Sequence, residues 1–435
     1  MKNTKLFALI MCFCLIFTMV ASAVPENSAA ATGPVVTSAN YILVNMDTGE
    51  VLVEKNSSER KYPASTTKIM TALLALEKLD PEGTSTVSNE AVMSISWDSS
   101  KLGLYEGETF NNFELIKGMM VVSGNDAANV LAEAVSGSIS DFVALMNEKA
   151  KSLGCEGTHF VNTHGLTDEN HYTTVADMAK IAVAAMKNPA FREIVKSTYF
   201  ELPKTEKCDV VRSFNTTNNL ITNARTSDYL YSPATGIKTG YTDAAKNCLV
   251  ASAEKEGVRL ISVILGASVV DGVNTAYSDT KALMEWGFEN YVSRQIIKKG
   301  EFYDEKSIKY AKGAKTVKLA AKEDFSFVFH KNVDEDLITT KVTVDTPVLA
   351  PVTPDDELGK IEVFYGDEYL GETILTADKV YEYSWWSAFV GVIGKIIGIA
   401  FLAVLAVVAV LIIVRQVEYE KRKKERMRSR GSERR

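Results

Sequence analysis

In the stretch "YPASTTKIM", Ser65 stands three residues before Lys68, where a helix begins. Such a pair could supply a nucleophile and its base, because residues three apart share one helix face. The same serine also suits a helix cap, since its hydroxyl can accept from the free N–H groups of a first turn. The following run "KIMTALLALEKL" is apolar at Ile69, Ala72, Leu73, Ala75 and Leu76, a helical period. Ser-x-x-Lys alone does not decide between the two, for it recurs at Ser58/Lys61, Ser252/Lys255 and Ser278/Lys281.

A lysine can act as base only when uncharged. Burial, a neighbouring cation and the positive end of a helix all push it that way. Lys68 on the first turn would feel all three, given one more cation nearby. Histidine is the usual alternative, and His159, His164 and His171 cluster in "THFVNTHGLTDENHYTT", with His330 far along the chain. A base, a metal site and a hydrogen-bonded structural loop are all open readings of that cluster. The spacing matches no H-E-x-x-H pattern, and a structural loop is the expectation.

Two further motifs carry suitable groups. "VVSGNDAAN" places Ser123, Gly124 and Asn125 at a loop-to-helix junction, although Ser-x-Asn also occurs at Ser38 and at Ser213. "GIKTGYT" contains Lys238-Thr239-Gly240, which occurs once and opens a strand. There a lysine can hold a carboxylate and a glycine lets a peptide backbone approach. An ordinary edge-strand lysine would look the same.

The elements that must position these groups form a pattern. "NYILVNMDTGEVLVEKN" reads as a hairpin turning at Asp47-Thr48-Gly49. Helical periods then dominate from Lys68 to about Asn188. Among them are "DAANVLAEAVSG", stopping at Gly137, and "ISDFVALMNEKAKSLG", with Ser140 as its expected cap and Gly154 as its stop. "NCLVASAE" and "VRLISVILGA" flank a "KEG" turn as an antiparallel pair, and a last helix closes near residue 292. Strands at both ends with helices between predict one α+β domain over 34–292 whose terminal strands pair. From 295 to 380 the runs "TVKLAA", "FSFVFH", "LITTKVTV", "KIEVFY" and "EYLGETIL" predict a small β-rich domain, with Gly366-Asp367 as a hairpin turn. No cluster of reactive residue types lies there, so a spacer or docking role is expected.

Both ends read as targeting segments. Lys2 and Lys5 precede an apolar run and Ala21-Ser22-Ala23, the pattern of a signal peptide over 1–23; an uncleaved anchor is the other reading. Nineteen uncharged residues from Ile396 to Val414 lie within an expected transmembrane helix over 388–414, with Trp385 and Trp386 before it. The tail 415–435 holds ten Lys/Arg against four Glu, so it should lie in the cytoplasm. Setting aside that tail (+6) and the two leader lysines takes the chain's −7 to −15 for the exported body. So acidic a body argues against nucleic-acid binding. Cys155, Cys208 and Cys248 are an odd, sparse set and imply no disulfide framework.

The three motifs in this order resemble the active-site signature of penicillin-binding proteins and serine β-lactamases. More closely, the chain is similar to low-molecular-mass serine D-alanyl-D-alanine carboxypeptidases of the peptidase S11 kind. The supporting stretches are "PASTTKIMTALLALE", "GMMVVSGNDAANVLAEAVSG", "FVNTHGL", "HYTTVADMA" and "IKTGYTDAAKNCLVASA". The resemblance implies a transpeptidase-like fold, a β-rich second domain and a C-terminal membrane attachment, with no metal and no organic cofactor. The full span and basic tail depart from the short amphipathic anchor common in that family. It implies Ser65 as nucleophile, Lys68 as base and Ser123 as proton relay. Asn125, Lys238 and Thr239 would bind substrate, Gly240 would make room for it, and the N–H groups of Ser65 and Tyr241 would form an oxyanion hole. The expected partners are peptidoglycan peptides ending in D-Ala-D-Ala, β-lactams and membrane lipid. A β-lactamase, a non-enzymatic receptor and a DD-endopeptidase are the rival readings. The second motif is Ser-Gly-Asn where β-lactamases with a loop glutamate have Ser-Asp-Asn.

Overall fold

The computed structural model describes residues 33–432, so the expected leader over 1–23 lies outside the described residues. The chain divides into two units, one running to Ser293 with Val328–Asn332, the other comprising Arg294–Phe327 and everything from Val333.

The first unit is built on a five-stranded antiparallel sheet of β1 (Asn40–Asn45), β2 (Val51–Lys55), β3 (Ala234–Thr242), β4 (Lys246–Lys255) and β5 (Val258–Ala267), in the order β2-β1-β5-β4-β3. The two ends of the domain's sequence therefore pair, β1 against β5 with Leu43 opposite Ser262. Side chains alternate across a strand. Ile42, Val44, Val250 and Val263 enter one core, while Tyr41, Leu43, Leu249 and Ile264 enter another on the opposite face.

Helices cover both faces: α1 (Lys68–Lys78), α2 (Asn112–Val122), α3 (Asn125–Ser136), α4 (Ile139–Ser152), α5 (Val175–Met186), α6 (Pro189–Lys196) and α7 (Thr275–Asn290). Leu283, Met284 and Phe288 of α7 pack on the second face, and α1 and α5 contribute to the first. Side-chain oxygens cap the starts of α2 (Asn111), α5 (Thr174), α6 (Asn188) and α7 (Asn274), accepting from otherwise unpaired N–H groups. The cap of α4 is Ser138, not the expected Ser140. Ser138 accepts from the Asp141 N–H and returns its own proton to the Asp141 carboxylate, which leaves Ser140 inside the first turn.

The second unit contains a six-stranded sheet of β6 (Phe302–Lys309), β7 (Thr316–Ala321), β8 (Ile338–Val344), β9 (Gly359–Tyr365), β10 (Glu368–Ala377) and the short strand Val348–Leu349, ordered β8-β9-β10-β7-β6 with the short strand last. Its core is Ile308, Val317, Leu319, Ile361, Val363 and Leu375. Thus an α+β domain is followed by a small all-β one, as the sequence implied. A final helix, α8, runs unbroken over Trp385–Ser432. It is the one helix among the described residues long and apolar enough to cross a membrane, and the basic tail continues it without a break.

Candidate active site

Ahead of α1 the chain makes a tight 3-10 turn over Ala64–Thr67, and the α-helix starts only at Lys68. Ser65 is therefore not the cap of α1. The cap position is Thr67, and no side chain bonds to the helix start. Side chains three apart eclipse in a 3-10 turn, which brings Lys68 Nζ to 3.0 Å from Ser65 Oγ. The neighbouring hydroxyls are tied back, Thr66 to the Pro63 carbonyl at 2.7 Å and Thr67 to that of Ala64 at 2.9 Å. Ala64 adopts φ +48°, uncommon for a residue with a Cβ.

Lys68 is wholly buried, and its Nζ donates to the His164 carbonyl at 2.8 Å. Burial first and the nearby Lys238 cation second hold its pKa well below the ordinary lysine value, against a smaller pull from Asp126. The loop supplying that carbonyl is pinned at 2.5 Å by the Thr71 hydroxyl on the Thr163 carbonyl. Gly165 has φ +93°, and a Cβ there would stand 1.8 Å from the Ala64 carbonyl oxygen, so only glycine lets the loop lie on the 3-10 turn that carries Ser65. The clustered histidines are struts of this loop. His171 Nδ1 accepts from the Val161 N–H, leaving Nε2–H to donate to the Thr67 hydroxyl at 2.9 Å. Burial lowers His171 to about 4 and His164 to about 3, so both are neutral at pH 7. None of the hydrogen bonds among the described residues joins a histidine ring to Ser65.

Ser123 ends α2 at φ +72° and Gly124 starts α3, so the second motif occupies the corner between two helices. Behind it the Asp126 carboxylate accepts from the N–H groups of Leu102 and Leu104, and the Asn125 N–H donates to the Ser100 carbonyl. This fixes the 100–104 segment beside Ser123. Asn125 is buried, and its Oδ1 has no hydrogen-bond partner among the described residues.

The third motif lies on β3. Lys238 is buried, donates to the Thr239 carbonyl at 3.1 Å, and is lowered to about 7 by burial first and by Arg225 second. The Thr239 and Thr217 hydroxyls meet at 2.7 Å. A Cβ on Gly240 would come to 3.0 Å from the Ser65 nitrogen, so glycine allows the strand to lie along the 3-10 turn that carries Ser65.

A cleft of about 370 Å³ brings Ser65, Ser123, Thr239, Gly240 and Tyr241 together, and no Asp or Glu lines it. Lys68, Lys238 and Asn125 are not on the lining; they are buried. Sequence reasoning missed Asp126, the His164 carbonyl, Thr217 and Arg225. Asp126 directly follows Asn125 and could have been suspected as an acid at a helix start. The other three are brought in by tertiary structure alone.

The chain belongs to the D-alanyl-D-alanine carboxypeptidase family, whose profile matches residues 27–269, and the C-terminal domain of penicillin-binding protein 5 matches 291–383. It is 35% identical over 342 residues to the D-alanyl-D-alanine carboxypeptidase DacF of Bacillus subtilis, covering 78% of this chain and 84% of that protein. Penicillin-binding protein 5 of Haemophilus influenzae shares 28% identity and a TM-score of 0.57 over 81% of this chain and 99% of its own. The Streptomyces K15 DD-transpeptidase shares 30% identity and a TM-score of 0.54 over 60% of this chain and all of its own. The activity of the family is removal of a terminal D-alanine, and this chain is a serine-type carboxypeptidase of that class.

Proposed function

We propose that Ser65 is the nucleophile and Lys68 the base of a peptidoglycan D-Ala-D-Ala carboxypeptidase. The observation that carries this is the buried Lys68 amine 3.0 Å from Ser65 Oγ. Uncharged, Lys68 takes the hydroxyl proton as Oγ bonds to the carbonyl carbon of the penultimate D-alanine. The oxyanion that forms accepts from the N–H groups of Ser65 and Tyr241, a contribution of roughly 10²–10³ in rate per donor in comparable sites. Ser123 passes a proton to the departing D-alanine nitrogen, the C–N bond breaks and an ester on Ser65 remains. Water then cleaves that ester and frees the trimmed peptide. Asn125, whose Oδ1 is an open acceptor, bonds the substrate amide, and Lys238 with Thr239 holds the terminal carboxylate. Gly240 leaves room for the peptide.

A penicillin acylates the same serine. The lack of any carboxylate on the cleft lining favours a long-lived adduct over rapid turnover, and so a carboxypeptidase over a β-lactamase. The apolar α8 anchors the protein by a single pass, with residues 34–292 as the catalytic domain outside the cytoplasm, 295–380 as a spacer and 415–435 as the cytoplasmic tail. Mass spectrometry of penicillin-treated protein should find one modified peptide, containing Ser65. Ser65→Ala should lose both the adduct and D-alanine release from a pentapeptide, by roughly 10⁴-fold or more. Release undiminished in that variant overturns the mechanism.

A further inference from the structure

A second cavity, of about 730 Å³, opens at the turn between β3 and β4, and Arg60, Tyr62, Glu169, Tyr172 and Lys246 are on its lining. Its walls are fastened to one another. The Lys61 and Thr173 backbones exchange N–H···O bonds at 2.7 and 2.9 Å, which ties the segment before the 3-10 turn to the loop carrying Tyr172. Thr167 of that loop donates to the Thr242 hydroxyl at 2.9 Å, and the same hydroxyl accepts from the Ala245 N–H. The Cys248 thiol donates to the Tyr62 carbonyl at 3.6 Å.

The charge of this cavity runs against that of the chain, which is net negative. Arg60, Lys61 and Lys246 line it with a single acid, Glu169. Lys61 is paired with Glu59 at 2.7 Å. Arg60 and Lys246 are exposed, and among the described residues neither has a carboxylate within ion-pair distance. Arg60 is held nonetheless, with its guanidinium over the Tyr172 ring, 4.4 Å from the centroid. Stacking covers a face of the guanidinium and leaves its N–H edge to bond an anion. Lys246 is fixed in register opposite Thr242.

Placement along β3 decides what the cavity would bind. On the mechanism proposed above, the terminal carboxylate lies at Lys238 and Thr239 and the attacked carbonyl at Tyr241, so the peptide runs antiparallel to β3. Residues ahead of the scissile bond are then carried toward Thr242 and the turn. Thr242 is two residues past Gly240, roughly 7 Å along a strand, while three extended residues span about 10 Å. The upstream part of a stem peptide therefore reaches the cavity. We infer that Arg60 and Lys246 form a subsite for a carboxylate carried upstream of the scissile bond, and that the enzyme selects acidic stem peptides through it. This rests on the reading of the cleft as the D-Ala-D-Ala site.

The test measures D-alanine release by the full chain from L-Ala-γ-D-Glu-L-Lys-D-Ala-D-Ala and from the same peptide with its glutamate carboxylate amidated. The wild type should favour the acid by roughly 10-fold in kcat/KM, mainly through KM, and the preference should shrink as salt is raised. Arg60→Gln should lower the acid-to-amide ratio about threefold, and Arg60→Lys should retain more of it. Lys246→Glu, a change on an exposed turn, should bring the ratio to about one or below. A ratio in Lys246→Glu equal to that of the wild type overturns the subsite. So does a wild type that releases D-alanine from both peptides equally well, which leaves the reading of the cleft standing. Release from neither peptide removes that reading, and this inference with it.

Discussion

The two units bury different things. The peptidase unit encloses two lysines, Asp126, Asn125, Asn129 and His171, and holds Ala64 and Ser123 at positive φ. In the β unit the buried polar side chains are Thr373 and Thr376, and its charges pair at the surface, as Lys360 does with Glu362 and Glu372. An enclosed amine deprived of water resists protonation, which suits Lys68 to the base role proposed for it. On the proposed mechanism the first unit therefore carries interactions that oppose its own stability where they would serve reaction, while the second is, among the described residues, a sheet with an apolar core.

Five experiments break or sharpen this contrast, beginning with the largest effect. Lys68→Arg should cost roughly 10³-fold in kcat/KM, because guanidinium keeps its proton. Lys68→Met should be as inactive yet more stable at pH 7, by about 1–3 kcal/mol. The sign follows from linkage. The folded pKa of Lys68 lies below its unfolded value, so between the two the unfolded chain binds the extra proton, and this unfavourable term shrinks as pH rises. A methionine variant that melts lower than wild type at pH 7 would count against a strained amine.

Next, Gly165→Ala should lower activity about 100-fold and destabilise the protein by at least about 3 kcal/mol, since the loop must leave the nucleophile turn. Wild-type D-alanine release from this variant removes the loop from any part in positioning Lys68.

The pH profile is a smaller effect, about tenfold on each side. Activity should fall toward acid as Lys68 gains a proton. In kcat/KM it should also fall above about pH 7, as Lys238 loses the charge that holds the carboxylate. Bound carboxylate favours the charged form, so the alkaline limb of kcat should lie higher than that of kcat/KM. Coincident alkaline limbs would remove Lys238 from carboxylate binding.

The smallest expected effect on catalysis comes from the second unit. Leu375→Ala opens a cavity in its core and should destabilise that sheet by about 2–5 kcal/mol. With a small soluble peptide, kcat/KM should stay within twofold of wild type. A tenfold loss would show that the reaction needs the β unit.

Much of this was legible in the chain because chemistry restricts residue types. The hairpin at Asp47-Thr48-Gly49 and the pairing of the terminal strands follow from turn residues and apolar periods, whereas the three motifs stood out only through the resemblance of their order to a known family. What local spacing could not give is the neighbour across space. Arg225 precedes Lys238 by an irregular loop, and the His164 carbonyl reaches Lys68 from 96 residues away. The 3-10 turn before α1 was read as plain helix because Thr66 and Thr67 bond to backbone carbonyls that no periodicity reveals. β6 escaped notice because "FYDEKSIK" carries four charges.

The missing carboxylate on the cleft lining has a consequence for drug action. On the proposed mechanism, hydrolysis of the ester must be started by the amine that made it, so that amine has to shed its borrowed proton first. A natural substrate removes the proton with the amino acid that leaves. A penicillin ring opens but stays attached, its nitrogen still crowding the water's approach. Such an inhibitor would stall the enzyme at mid-cycle by staying where a product should have diffused away.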